Sequence, residues 1–329
     1  MTTRLSILDL AFVPPGHTAS EAFAGSVALA QRAEALGYER IWYAEHHNMP
    51  AIASSATSVL IAHVGAHTRS IRLGAGGVML PNHAPLVIAE QFGTLACLYP
   101  DRIDLGLGRA PGTDPVTTRA LRLDPSAADS FPSDVLELQA YLGEETRVPG
   151  VEATPGKGTR VPIYILGSSL FGAALAARLG LPYAFASHFA PAALEEAVRL
   201  YRRDFRPSAQ QSEPYVIVGV NVLAAASLDE AKQQFRVVQR GRARILLGRG
   251  AHWTDEETDA VLESPAGRAL RGMAMYSAMG TELEVKRYLS NFCELTHPDE
   301  LMTVHPAPTV EARLESIEIL ARAWRDEQR

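Results

Sequence analysis

Cysteine is nearly missing from this sequence. Cys97 and Cys293 are the only two, and they show neither C-x-x-C spacing nor a disulfide framework, which fits a reducing compartment and excludes a scaffold stapled by disulfides. Long apolar runs are missing as well, and nothing approaches the roughly 20 residues of a membrane-spanning helix. There is no excess of positive charge. The net charge is -6 at neutral pH, which argues against a nucleic-acid groove or an anionic membrane surface as the main partner. No low-complexity tract, internal repeat or Pro/Gly/Ser-rich linker interrupts the chain. The opening "MTTRLSILDLAFVPPG" has one basic residue and a short apolar stretch that meets two prolines, so it reads as a first strand and not as a signal peptide. A cytoplasmic enzyme or binding protein is the expectation.

What the sequence does contain is a rhythm. "LSILDLAFV" is rich in strand formers and is ended by Pro14, Pro15 and Gly16. Residues 20–36 then place Ala22, Phe23, Val27, Ala30, Ala33 and Leu36 at helical spacing, with Gly37 where a C-cap belongs. Strands follow at "YERIWYAEHH", "IRLGAGGVML", "RIDLGLGRA", "VPIYILG", "PYAFASHF", "PYVIVGVNVLAAA" and "DELMTVH", each succeeded by a helical pattern. Parallel strands need long crossovers, usually helices. Eight strand-then-helix units without a linker predict an α/β fold, a closed (β/α)8 TIM barrel in one domain over 1–329. Segments 111–132 and 228–280 are too long for simple connections. They are expected to be insertions after strands four and seven, lying over the C-terminal mouth as lids.

Barrel enzymes place their chemistry where the strands end. Here those ends hold His46 and His47, His188, His305, Arg109 and several glycines. Neighbouring strand residues face opposite sides, so one imidazole of the His46-His47 pair is expected inward, and His46 is taken as that one. Gly74, Gly76 and Gly77 on one strand and Gly106 and Gly108 on the next thin two neighbouring strands. Their pattern reads as a flat slot for a planar ring. A strand ending in Gly167 runs into Ser168 and Ser169 at a helix start, which is either an anion site or a plain N-cap. Three motifs are decoys. "HVGAH" lacks the glutamate of a zinc helix, "GLGRAPG" spaces its glycines wrongly for a dinucleotide loop, and "PGKGT" lacks the rest of a P-loop. No metal is expected.

The stretches "AEHHNMP", "GAGGVMLPNHAPLVIAEQFGTL", "DRIDLGLGRAPG" and "ILGSSLFGAALAARLGLPYAFASHFAP" together resemble, in order, the bacterial-luciferase-like flavin-dependent monooxygenases. The resemblance implies a barrel that binds FMN, usually as a homodimer, with reduced FMN supplied by a separate flavin reductase. A small substrate, such as an aldehyde or other carbonyl compound, is then oxidised with O2 through a flavin C4a-hydroperoxide, under the cover of 228–280. It implies His46 as catalytic base with His47 as its neighbour; His188 is a second candidate. Gly76 and Gly77 match a non-proline cis peptide beneath the flavin ring. Glu90 and Arg109 match positions near the flavin, Arg109 reaching its phosphate, and Gly167, Ser168, Ser169, Leu170 and Phe171 match the phosphate-binding helix start. Gly108 stands where luciferase has a reactive cysteine and Gly167 where it has an acidic residue, departures that count against light emission. Hydride transfer with a deazaflavin, without O2, and flavin binding without turnover stay open.

Overall fold

The computed structural model describes residues 3–124, 126–248 and 251–325. Local signals set its first unit. β1 (Arg4–Asp9) leads into α1 (Ala19–Leu36). The Thr18 hydroxyl accepts the Glu21 amide at 3.2 Å and the Glu21 carboxylate accepts the Thr18 amide at 2.7 Å, a reciprocal cap that fixes the start of α1. Gly37 ends it at φ 83°, a left-handed conformation that suits glycine.

The order continues as β2 (Arg40–Tyr43), α2 (Thr57–Gly65), β3 (Arg72–Met79), α3 (Pro85–Leu98), β4 (Ile103–Gly108), α4 (Pro115–Ala120), α5 (Phe131–Leu142), β5 (Ile163–Gly167), α6 (Leu170–Leu179), β6 (Tyr183–Phe185), α7 (Leu194–Asp204) and β7 (Val216–Ala224). Then come α8 (Leu228–Leu247), α9 (Asp255–Leu262), α10 (Pro265–Met273), β8 (Ser277–Gly280), α11 (Glu282–Thr296), β9 (Glu300–Val304) and α12 (Val310–Arg325). β1 to β7 pair in sequence, and β9 fits between β7 and β1. All pairings are parallel, and the β6–β7 pairing closes the ring. The expected TIM barrel is present.

β8 departs from the expectation. Segment 228–280 reads in sequence as one helical stretch, but it comprises α8, α9, α10 and a ninth strand outside the ring. β7 runs on beyond its barrel neighbours, and Asn221 to Ala224 pair in parallel with Ser277 to Gly280. Four residues, "SAMG", are too short and too small to announce a strand; the buried edge of β7 recruits them. Pro125, Arg249 and Gly250, which belong to the two predicted insertions, lie outside the described residues.

Two apolar layers follow from alternation along the strands. Ile7, Ile41, Leu73, Leu105 and Ile165 face the helices, whereas Leu8, Trp42, Ala44, Tyr164, Ile217 and Met302 fill the barrel. The N-terminal end of the barrel is closed by charge. Arg40 binds Asp104 at 2.6 Å and Glu300 at 2.9 Å, with all three side chains nearly sealed from solvent. The Tyr164 and Tyr215 hydroxyls and Arg72 complete the network. Buried ions persist only when paired in this way.

Candidate active site at the barrel mouth

β2 stops at Tyr43, so Ala44 to His47 leave the pleat and alternation no longer dictates their directions. The two imidazoles part all the same. His47 turns to the carboxylate of Glu45, Nε2 to Oε1 2.8 Å. The Nδ1 of His46 is sealed from solvent with no hydrogen-bond partner. His188, which follows β6, lies within its electrostatic reach, and its own Nδ1 is likewise sealed and partnerless. Burial pushes His188 down to about 3, with the charge of Arg242 and the neighbouring His46 ring adding to it. Burial also holds His46 below the usual histidine range, against the pull of the Ala44 carbonyl and Glu45. Both rings are therefore neutral near pH 7.

His188 owes its position to residues without an evident sequence signal. A methyl group on Gly219 would lie 2.3 Å from His188 Nδ1, so only glycine admits the ring there. The Asn221 amide donates to the His188 carbonyl at 2.7 Å. His305, the remaining mouth histidine of the sequence, takes no part. It is buried between β9 and α12, paired with Ser316 at 2.8 Å and Thr303 at 3.0 Å.

Glu45 is the hub that sequence reasoning missed. Its carboxylate receives His47, His83 at 2.9 Å, the Asn82 amide at 3.0 Å and the backbone N–H of Met79 at 2.9 Å. Burial raises its pKa, but the hydrogen bonds from His83 and His47 and the Met79 amide outweigh that, and the carboxyl stays below its ordinary value. The Glu45 N–H also donates to the Gly77 carbonyl at 3.2 Å. One side chain thus ties the end of β2 to the end of β3. The loop after β4 is fastened to the same place: the His47 amide donates to Gly112 and the Thr113 hydroxyl to the His47 carbonyl.

The Gly76–Gly77 peptide is cis. The open slot read from the glycines is not what the wall shows. A Cβ on Gly76 would meet the Trp42 ring at 2.8 Å and Leu8 at 3.0 Å, one on Gly74 the Asp104 carbonyl at 2.6 Å, and one on Gly106 the Ala75 carbonyl at 2.3 Å. The barrel's own filling occupies that space. The glycines allow Trp42 inward and the strands close together.

After β4 and β5 the mouth changes character. Arg109 is exposed and stands 4.1 Å over the ring of Phe171, the second residue of α6. Ser169 caps α6 in extended conformation, but its hydroxyl makes no capping bond, and the first turn of α6 holds no acidic residue. Unpaired amides, a positive helix end and an adjacent guanidinium suit a phosphate. Phe12 and Phe189, on connections that follow β1 and β6, are exposed, and so is Phe171 in the first turn of α6.

A profile of the family described as luciferase-like monooxygenase matches residues 3–239. The chain belongs to that family. A luciferase-like monooxygenase of Escherichia coli strain K12 is 46% identical over 97% of this chain and 96% of its own. The N-acetyl-S-alkylcysteine monooxygenase of Bacillus subtilis is 35% identical over 79% of this chain and 80% of its own. Among solved structures, apo-MsnO8 superimposes with a TM-score of 0.88 at 34% identity, covering 98% of both chains. The enzyme class read from the sequence, a flavin-dependent monooxygenase, accords with this membership. Within this luciferase-like barrel, His46 and His188 come together, and His47 joins Glu45 instead. Gly167, Ser168, Ser169, Leu170 and Phe171 gather with Arg109 at the start of α6. Glu90, half-buried on α3, is linked to neither group by a hydrogen bond among the described residues.

Proposed function

We propose that this protein is an FMN-dependent monooxygenase that takes reduced FMN from a separate flavin reductase and uses O2 to oxidise a small organic substrate at the barrel mouth. The carrying observation is the partnerless imidazole nitrogen of His46, neutral and beside His188, at the same end of the barrel as the Arg109–Phe171 pair and the open start of α6. The orphaned nitrogen of His46 calls for a ligand. A flavin phosphate fits the α6 amides and Arg109, and the exposed phenylalanines fit its ring and an apolar substrate.

Bound reduced flavin supplies the electrons that activate O2. The rest falls to the chain. The α6 start and Arg109 hold the phosphate, Glu45 fixes the ends of β2 and β3, and α8 with its neighbours limits water at the mouth. His46, neutral at working pH, accepts or returns the substrate proton at Nδ1. The Bacillus subtilis relative, by its name, acts on an S-alkylated cysteine, so thioethers join aldehydes and other carbonyl compounds as substrates to be tested. We take the protein to act as a homodimer.

The test combines the purified protein with FMN, a flavin reductase, NADH and O2, and assays aldehydes and thioethers for incorporation of isotopically labelled oxygen. His46→Ala is expected to keep FMN binding and lose on the order of 100-fold in turnover. Full turnover in that variant removes the proposed base, and tighter binding of a deazaflavin than of FMN removes the monooxygenase reading.

A further inference from the structure

α8 carries three arginines close together, and they are not alike. Arg240 is bound by Asp259 at 2.7 Å and also by Asp255, and Arg244 by Asp255 at 2.6 Å. Arg242 points elsewhere. It reaches β7, where its Nη2 donates to the side-chain Oδ1 of Asn221 at 3.3 Å, and the Nδ2 of the same Asn221 donates to the His188 carbonyl. Among the described residues no carboxylate faces Arg242. Burial lowers its pKa and no anion offsets that. A half-buried guanidinium with one long bond to a neutral oxygen leaves most of its donors unused. Withdrawing such a charge from water without a counter-ion is unfavourable, and the group acquires its balance when an anion arrives.

We propose that Arg242 binds a carboxylate of the substrate and so sets the reacting end of that molecule against His188 and His46. The proposal rests on the monooxygenase reading only for what happens after binding. The planar fork of arginine matches a carboxylate through two parallel N–H···O bonds. The flavin phosphate has its own place, after β4 and β5 at Arg109 and α6, whereas Arg242 lies over the ends of β6 and β7. Asn221 then has a definite role as a positioning residue: its side chain holds His188 with one end and Arg242 with the other.

The experiment is calorimetric titration of the protein with (benzylthio)acetate and with its neutral analogue (benzylthio)acetamide, FMN-loaded and flavin-free. The acid is expected to bind about tenfold tighter than the amide in the native chain. In Arg242→Met that preference falls to about twofold or less, Arg242→Lys keeps part of it, and FMN and riboflavin affinities stay within about threefold. Equal affinity for the two probes, no binding of either, or an undiminished preference in Arg242→Met overturns the proposal. So does a loss of FMN or riboflavin affinity in Arg242→Met with the probe preference intact, because the arginine then serves the flavin. If the protein fails to bind FMN, the monooxygenase reading falls, and the flavin-free titration still decides the role of Arg242.

Discussion

Lowering the pH tests how deeply the mouth is sealed. Burial, with Arg242 and His46 beside it, pushes His188 down to about 3 in the fold, while the unfolded chain restores its ordinary 6.5. Between those values the unfolded state binds a proton that the folded state refuses, so stability is fully present above about pH 6.5 and falls as pH falls. His305, pushed to about 3 by burial and by Arg313, adds an equal term. Linkage gives about 2 kcal/mol lost per histidine between about pH 7.5 and about pH 5, hence about 4 kcal/mol for the two. Replacing His188 by Gln removes one term. Urea unfolding of both proteins across this range is expected to show the native chain losing about 2 kcal/mol more than the variant, whatever constant offset the substitution brings. Parallel stability curves refute the reasoning, because they mean that the imidazole is protonated within the fold or reaches water freely. A functional corollary follows. With His188 pushed down to about 3, the proposed role of His46 as base predicts that the acid limb of a pH–rate profile persists in His188→Gln.

Three further substitutions separate the parts of the site. Arg109→Met is expected to weaken FMN binding about tenfold while leaving riboflavin binding unchanged, because in the proposed site only the phosphate meets the guanidinium; flavin fluorescence quenching reads both. Glu45→Gln replaces an acceptor of four donors by a group with one acceptor oxygen and two donors of its own, and is expected to cost roughly 2–4 kcal/mol in denaturant unfolding. Arg40→Met strands Asp104 and Glu300 without their shared guanidinium and is expected to cost about 3–5 kcal/mol in the same assay, with Arg40→Lys recovering only part of it.

The barrel was legible because parallel strands are covered on both faces and therefore read as nearly continuous apolar runs, each followed by a helix. The uncapped start of α6 was legible for a local reason: a strand, a glycine and two serines before a helix place unpaired amides in a known direction. The glycine slot was misread because an absent side chain does not say what takes its place. Trp42 and the neighbouring strand do so here, and they come from elsewhere in the chain. Glu45 and His83 gave no signal for the same reason. A glutamate beside two histidines becomes a hub only when the end of β3 arrives against it.

α8 makes the point most sharply. Its Arg240, Arg242 and Arg244 follow one another at every second position. On a helix, residues four apart share a face, and the residue midway between them projects from nearly the opposite side. Arg240 and Arg244 accordingly share Asp255 on the outer side, and that arrangement leaves Arg242 no direction except over β7. The acidic start of α9, which supplies Asp255 and Asp259, thus does more than stabilise the insertion. It draws two of the three arginines outward and leaves the third unneutralised at the mouth. Reversing the charge at Asp255 is therefore expected to loosen α8 and weaken carboxylate binding together, although Asp255 touches neither Arg242 nor the ligand, and calorimetry with (benzylthio)acetate on Asp255→Lys reads that coupling. An unchanged affinity would show that Arg242 is held by its own contacts with β7 and not by the pairing of its neighbours.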